Sequence, residues 1–212
     1  MTVEAARAAF GPAAEVIVAD GGSRDGTQEI AAATARLITC TAGRGAQLNA
    51  GAAVAIGEVL VFLHADTHPS GGSRDALEAA LSREHVVGGC FELALRGPSQ
   101  RRLIARVLAA AINLRSRVLH TATGDQAIFV RRHSFHAIDG FPDQDLFEDV
   151  IFLRRLRRAG TIVVLRPPVH TSDRRWRENG YLKTILLHWA LRLLFLMGVS
   201  PGRLAALYRR QS

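Results

Sequence analysis

Glu15–Thr27, EVIVADGGSRDGT, is the stretch whose reading decides the fold. A short apolar run ends in Asp20, and two glycines, a second carboxylate and a third glycine follow before a helix-forming segment begins. Residues 15–20 read as a buried strand, residues 27–36 as a helix, and the glycines between them as a tight turn. Asp25 is placed to cap that helix, with Gln28 three residues on completing a capping-box pattern. Asp20 comes too early to cap it, so an acid at the tip of a buried strand points to a ligand.

The alternation continues outward from this stretch. RLITC (36–40) reads as a second strand and AQLNAGAAVAI (46–56) as a second helix. In EVLVFLHAD, the run Val59–Leu63 is apolar without alternation, as expected of a strand covered on both faces in a parallel sheet. Strands alternating with helices predict a three-layer α/β/α domain. Ligands in such sheets sit beyond the carboxyl ends of the strands, which puts Asp20, His64 and Asp66 at the ligand edge. Arg44, flanked by Gly43 and Gly45 just before a helix, suits a diphosphate through backbone amides and a guanidinium fork. Further along, AIFVRR (127–132) and TIVVL (161–165) read as strands, and DLFEDVIFLRRLRRAG as a helix ending at Gly160. On that helix Asp149 shares a face with Phe152, Leu153 and Leu156, an inward stripe on which a carboxylate needs a reason. Glu148 is accounted for as an N-terminal acid favoured by the helix dipole.

Composition bounds these expectations. With 212 residues, 48% of them hydrophobic, the chain supports one sizeable domain. The net charge of +8 is almost all arginine, Lys183 being the only lysine. It reflects either base composition or an anionic partner such as a phosphorylated ligand or a membrane surface. Nucleic acid is not expected, because no binding motif is present and aromatics are 6% of residues. Cys40 and Cys90 suggest buried free thiols in a reducing, cytoplasmic setting, and no thiol and imidazole spacing suits zinc. The opening MTVEAARAAF lacks the form of a secretory signal. Residues 1–180 are expected to form the catalytic domain and 181–212 an amphipathic helical tail. That tail carries Lys183 and Arg192 and a narrow polar stripe of Thr184, His188 and Arg192, so it does not suit a membrane span. It either packs on the domain or on the second subunit of a homodimer, or lies peripherally on the inner face of a membrane, which would favour a lipid-linked acceptor.

VADGGSRDGT, GRGAQLNAGAAVAIGEVLVFLHAD, GDQAIFVRR, FEDV and RRW occur in an order that resembles inverting family 2 glycosyltransferases of the GT-A fold. The nearest resemblance is to the bacterial subfamily associated with radical-SAM and selenoprotein-like domains, and it runs from about Glu15 to about Tyr208. The resemblance implies transfer of a sugar from a nucleotide-diphosphate donor to an acceptor hydroxyl with inversion. It implies that Asp20, with Gly22 in its turn, contacts the base and that Arg44 lies near the nucleotide. His64-Ala65-Asp66 stands where relatives carry Asp-x-Asp, so Asp66 would bind Mg2+ or Mn2+ bridging the phosphates, and His64 would contact ribose or metal. His170, following two prolines, is either a second metal ligand or an exposed loop residue. Asp149 matches the general base, with Glu148 beside it, and Asp125 and Gln126 match the floor of the acceptor pocket. Arg175 would lie near the diphosphate and Trp176 against the acceptor. Ser172 replaces the glutamine of processive relatives, so chain building is not expected. A nucleotidyltransferase on a similar fold is disfavoured by the absence of a Gly-x-Gly-Thr-Arg loop; a non-catalytic binding module is the remaining alternative. Relatives open with a strand and a polar turn, whereas here residues 2–16 look like the end of the helix that follows it. The expectation is a chain shortened at its N-terminus, with EVIVAD and VLVFLHAD on either side of a gap.

Overall fold

The computed structural model describes residues 2–96, 102–144 and 146–209, without the side chains of Arg175, Asn179, Leu182 and Arg209. Its strands fall into two sheets. β1 (Ile17–Asp20) and β2 (Arg36–Thr39) pair in parallel. The larger sheet has the order β3 (Val59–Phe62), β6 (Ile128–Arg131), β5 (Val86–Arg96), β7 (Thr161–Ser172), β4 (Thr67–His68). Among the described residues β1 and β3 belong to different sheets and are not hydrogen-bonded to each other. Helix α1 (Thr2–Phe10) precedes β1, and α2 (Thr27–Thr34) and α3 (Arg44–Val54) follow the first two strands. α3 spans the interval: Gln47 donates to the Ala19 carbonyl at 2.9 Å, while Leu48, Ala52 and Ala55 pack in the core that holds Leu60.

The larger sheet is mixed. β3 runs antiparallel to β6 at one edge, so the unbroken apolar run Val59–Leu63 does not mark a central parallel strand. The centre is β5, antiparallel to β6 and parallel to β7. Its place depends on two glycines: a Cβ on Gly89 would lie 1.9 Å from the Val163 carbonyl oxygen and one on Gly88 would lie 2.5 Å from that of Phe129. Beyond the bulge between Phe91 and Leu93, Asn113 of α5 (Arg102–Leu119) both accepts from the Leu93 amide at 2.8 Å and donates to its carbonyl at 3.0 Å, replacing the interrupted ladder.

Helices cover both faces. Along β6 the side chains alternate, Ile128 and Val130 into one core and Phe129 into the other. The first core takes Phe152, Leu153 and Leu156 from α7 (Glu148–Ala159), with Phe141 and Phe152 stacked at 4.1 Å. The second takes Leu77 from α4 (Ser73–Leu81), with Phe10 of α1 and Ile112 of α5 against it. Burial of each large side chain contributes about 1.5–3 kcal/mol. α7 ends at Gly160, where a Cβ would meet Val87 Cγ1 at 2.4 Å. α6 (Arg132–Ala137) follows β6, and α8 (Arg174–Asn179), α9 (Tyr181–Leu196) and α10 (Pro201–Arg209) complete the described chain. Cys90 is buried, as expected, and burial pushes its thiol up to about 12; Cys40 is only half-buried.

Candidate active site

Asp20 closes β1, but its carboxylate is spent on its own loop. Oδ2 accepts from the amides of Gly22 and Ser23 and from Gln28 Nε2, each at 2.8 Å, and Oδ1 accepts from Ser23 Oγ. The Ser23 hydroxyl and then its amide, with Gly22 and Gln28, hold the carboxyl down at about 2. Gly22, at φ +97°, supplies the left-handed turn this requires. Asp20 therefore organises its own loop, a structural role that its position ahead of the helix cap did not suggest. The capping expectation for α2 changes too: the N-cap is Gly26, Asp25 accepts from Thr27, and Gln28 reaches back to Asp20.

A second cluster gathers five residues from four parts of the chain. Arg44 opens α3; its Nε lies 3.1 Å from Glu148 Oε1, and its Nη2 meets His64 Nε2. Because a guanidinium only donates, His64 Nε2 accepts and the ring is neutral. Burial, then the charge of Arg44, holds the His64 pKa below the ordinary histidine value. Glu148 is 2% exposed, so it is a buried partner of Arg44 and not a solvated acid at a helix terminus. Burial, then the neighbouring Asp149, raises its pKa. Asp149 is also buried, with Oδ2 accepting from the Gly124 amide at 2.8 Å and Oδ1 from the Val150 amide at 2.7 Å. The approach is close: a Cβ on Gly124 would lie 2.5 Å from Arg44 Nη2 and 2.6 Å from His64 Nε2. Phe147, just before Glu148, has φ +66°, a left-handed conformation costly for an aromatic residue, and its ring stacks on Phe195 of α9 at 4.7 Å.

The turn at residues 124–126 carries two further expected residues, which part company. Asp125 is half-buried and accepts from Thr123 Oγ1, and its charge acts on both His64 and Arg115. Gln126 is fully buried: Oε1 accepts from Ser116 Oγ at 3.0 Å and the Thr123 amide at 3.1 Å, and Nε2 donates to the Phe91 carbonyl at 3.2 Å. Its side chain therefore fastens the turn to β5 and α5. Two arginines that were not among the expected site residues arrive here. Arg115 of α5 donates to Gln126 Oε1 at 3.4 Å, and Arg192 of α9 to Thr121 Oγ1 at 3.3 Å. The polar stripe of the tail already held Arg192, but nothing local tied either arginine to the site.

Asp66 is exposed in the turn between β3 and β4, closed by the Thr67 amide on the His64 carbonyl at 3.0 Å. His170 lies within strand β7 and not in a loop, because β7 runs on through both prolines; it pairs across the strands with His68. Among the described residues, no three His, Cys, Asp or Glu side chains gather to hold a metal ion. Asp66 is thus a single open carboxylate, which suits a hard cation that takes its other ligands from phosphate and water. Arg175 lies in α8, with its side chain outside the described residues. Trp176 packs edge-on against His188 of α9, ring centroids 5.3 Å apart.

α9 is turned the unexpected way round. Its polar stripe faces the domain: Thr184 is buried, His188 meets Trp176 and Arg192 reaches Thr121. Leu186, Trp189, Leu193 and Leu196 are exposed instead. Among the described residues no helix is long and apolar enough to cross a membrane.

Residues 1–147 match the family described as Glycosyl transferase family 2. This chain is a member of that family. The matched segment holds the Asp20 loop, Arg44, His64, Asp66 and the turn at 124–126; Glu148 and Asp149 lie just beyond it. The structure of residues 1–349 of S. aureus TarS is similar to the family 2 chain with a TM-score of 0.61 at 19% identity, over 81% of this chain and 55% of that one. The same protein in complex with UDP-GlcNAc gives a TM-score of 0.61 at 19% identity, over 81% and 54%. A mycobacterial protein gives 0.52 at 20% identity, over 80% and 59%. At such identities the likeness carries the fold, which is GT-A-like. The family 2 chain spans a little over half the length of these solved structures. No curated protein matches it with significant similarity.

Proposed function

We propose that this family 2 chain transfers a sugar from a nucleotide-diphosphate donor to an acceptor hydroxyl in one inverting displacement, with Asp149 as general base. The observation that carries this reading is the buried Asp149 carboxylate, oriented by the Gly124 amide beside the Arg44, His64 and Glu148 cluster. Each Asp149 oxygen accepts one amide hydrogen bond and keeps a lone pair for a proton. Asp149 takes the proton of the acceptor hydroxyl as that oxygen bonds to the anomeric carbon, and the bond from that carbon to the diphosphate breaks. A magnesium or manganese ion on Asp66 would neutralise the charge of the departing diphosphate. The fold similarity to TarS, a protein solved with UDP-GlcNAc and with UDP, supports the donor class. The order of the motifs supports membership of the radical-SAM and selenodomain-associated branch. The outward leucines and Trp189 of α9, with a net charge of +8, support a peripheral position on an anionic membrane surface.

Thermal denaturation with nucleoside diphosphates and triphosphates, with manganese or a chelator, tests this reading. A nucleoside diphosphate is expected to stabilise the protein selectively, and more strongly with manganese; Asp66→Ala should lose only the manganese dependence. Selective stabilisation by a triphosphate points to nucleotidyl transfer, and no response at all overturns donor binding.

A further inference from the structure

Arg115 and Arg192 present an electrostatic problem that the catalytic cluster does not solve. Other guanidiniums that reach buried carboxylates are matched: Arg44 by Glu148, Arg117 and Arg166 by Glu92, Arg177 by Asp173. Arg115 and Arg192 are both half-buried and close enough to repel each other, yet among the described residues neither forms an ion pair. Their recorded partners are neutral oxygens at long distances, 3.4 Å for Arg115 and 3.3 Å for Arg192. Arg115 Nε is buried with no hydrogen-bond partner. Burial first, and Arg192 next, depresses Arg115 to about 10; burial lowers Arg192 as well. The charges of Asp125 and Asp149 act on Arg115, and that of Asp149 on Arg192, but among the described residues neither carboxylate forms an ion pair with either arginine, and Asp149 already serves the Gly124 and Val150 amides.

Two neighbouring, half-buried cations, neither of them in an ion pair, call for an anion. Two guanidiniums offer forked donors matched to the oxygens of one phosphate group and a double charge matched to its dianion. Arg115 and Arg192 come from α5 and α9 and reach the turn that orients Asp149, whereas the residues assigned to the donor lie on β1, α3 and the turn after β3. Resting on the glycosyl-transfer reading, we infer that Arg115 and Arg192 bind a phosphate group carried by the acceptor, holding the acceptor hydroxyl within reach of Asp149.

Calorimetry with inorganic phosphate tests the site, using protein both free and saturated with a nucleoside diphosphate. Wild type is expected to bind phosphate in both states. Arg192→Gln should weaken phosphate about tenfold or more, Arg192→Lys should recover part of the loss, and Arg115→Lys should weaken it while keeping the charge, with nucleoside diphosphate affinity unchanged throughout. The inference is overturned if wild type does not bind phosphate, if phosphate competes with the nucleoside diphosphate, or if Arg192→Gln binds phosphate as wild type does. Loss of nucleoside diphosphate binding alone would instead overturn the donor assignment. Phosphatidylcholine vesicles with and without phosphatidic acid distinguish the source of the anion. Binding that requires phosphatidic acid and weakens in Arg192→Gln assigns it to a lipid headgroup. Phosphate binding without that vesicle preference assigns it to a soluble acceptor, and both results uphold the site.

Discussion

The backbone amide of Gly124 donates a 2.8 Å hydrogen bond to Oδ2 of Asp149, joining the turn before β6 to the first turn of α7. That bond fixes one carboxylate oxygen and leaves no room for a side chain at residue 124, since a Cβ would meet Arg44 Nη2 and His64 Nε2. Both obstructing atoms are ends of side chains, so Gly124→Ala is expected to fold while displacing Arg44 and His64. A displacement of this kind costs about 10²-fold in turnover. Melting temperature and steady-state transfer should separate under this substitution; unchanged turnover would show that the cluster tolerates the displacement.

Asp149→Asn keeps the size of the side chain and its acceptor from Gly124 but removes the base. Transfer is expected to fall by about 10²–10⁴-fold while nucleoside diphosphate affinity stays at the wild-type value. Single-turnover kinetics alongside calorimetry checks this, and wild-type turnover would exclude Asp149 from proton transfer.

Arg44→Met leaves Glu148 buried without its partner. Because Arg44 is 49% exposed, solvent already screens part of the pair, and the expected loss is about 1–2 kcal/mol, below that of a fully buried bridge. The loss depends on pH. The folded pKa of Glu148 is raised above its ordinary 4.5 by burial and then by Asp149, while Arg44 opposes that rise. Removing Arg44 raises it further, so the destabilisation should be present at neutral pH and shrink once Glu148 is protonated. Urea midpoints at pH 7 and in the ordinary carboxyl range measure the difference.

His64 gives a stability change of the opposite sense. Its folded pKa lies below the ordinary 6.5, through burial first and Arg44 second. As pH falls through the ordinary histidine range the unfolded chain takes up a proton that folded His64 refuses, so stability declines. Melting temperatures from pH 7.5 down to pH 5 should fall less steeply in His64→Gln than in wild type. Parallel curves would mean that His64 protonates freely in the folded protein.

Local order was legible where one segment carries its own signal. The acid-glycine run after β1 marks a strand, turn and helix, and the stripe of Phe152, Leu153 and Leu156 gives α7 its inward face, with Asp149 on it. The central strand β5 was not legible, because paired glycines such as Gly88 and Gly89 carry no strand signal of their own and are required only by the close approach of Val163 and Phe129 from β7 and β6. The burial of Gln126 and Glu148 was not legible for a related reason. Their polarity suggests exposure, while their burial rests on Ser116, Thr123 and Phe91 in one case and on Arg44 in the other.

The sequence by itself determined the α/β alternation, the order of the motifs and the inward face that carries Asp149, since each depends on periodicity or spacing within one stretch of chain, whereas the role of base came from the family resemblance. Tertiary structure alone decided the rest. Asp20 turned from a free acid into the organiser of its loop only when Gly22, Ser23 and Gln28 closed around it. α9 set its polar stripe inward because Trp176 and Thr121 await it on the domain, and this left its leucines exposed. Arg115 and Arg192 lie 77 positions apart in the sequence and become one charge cluster only when α5 and α9 converge on the turn at 121–126. Electrostatic fields act through space and not along the chain, so no local pattern could announce that pair.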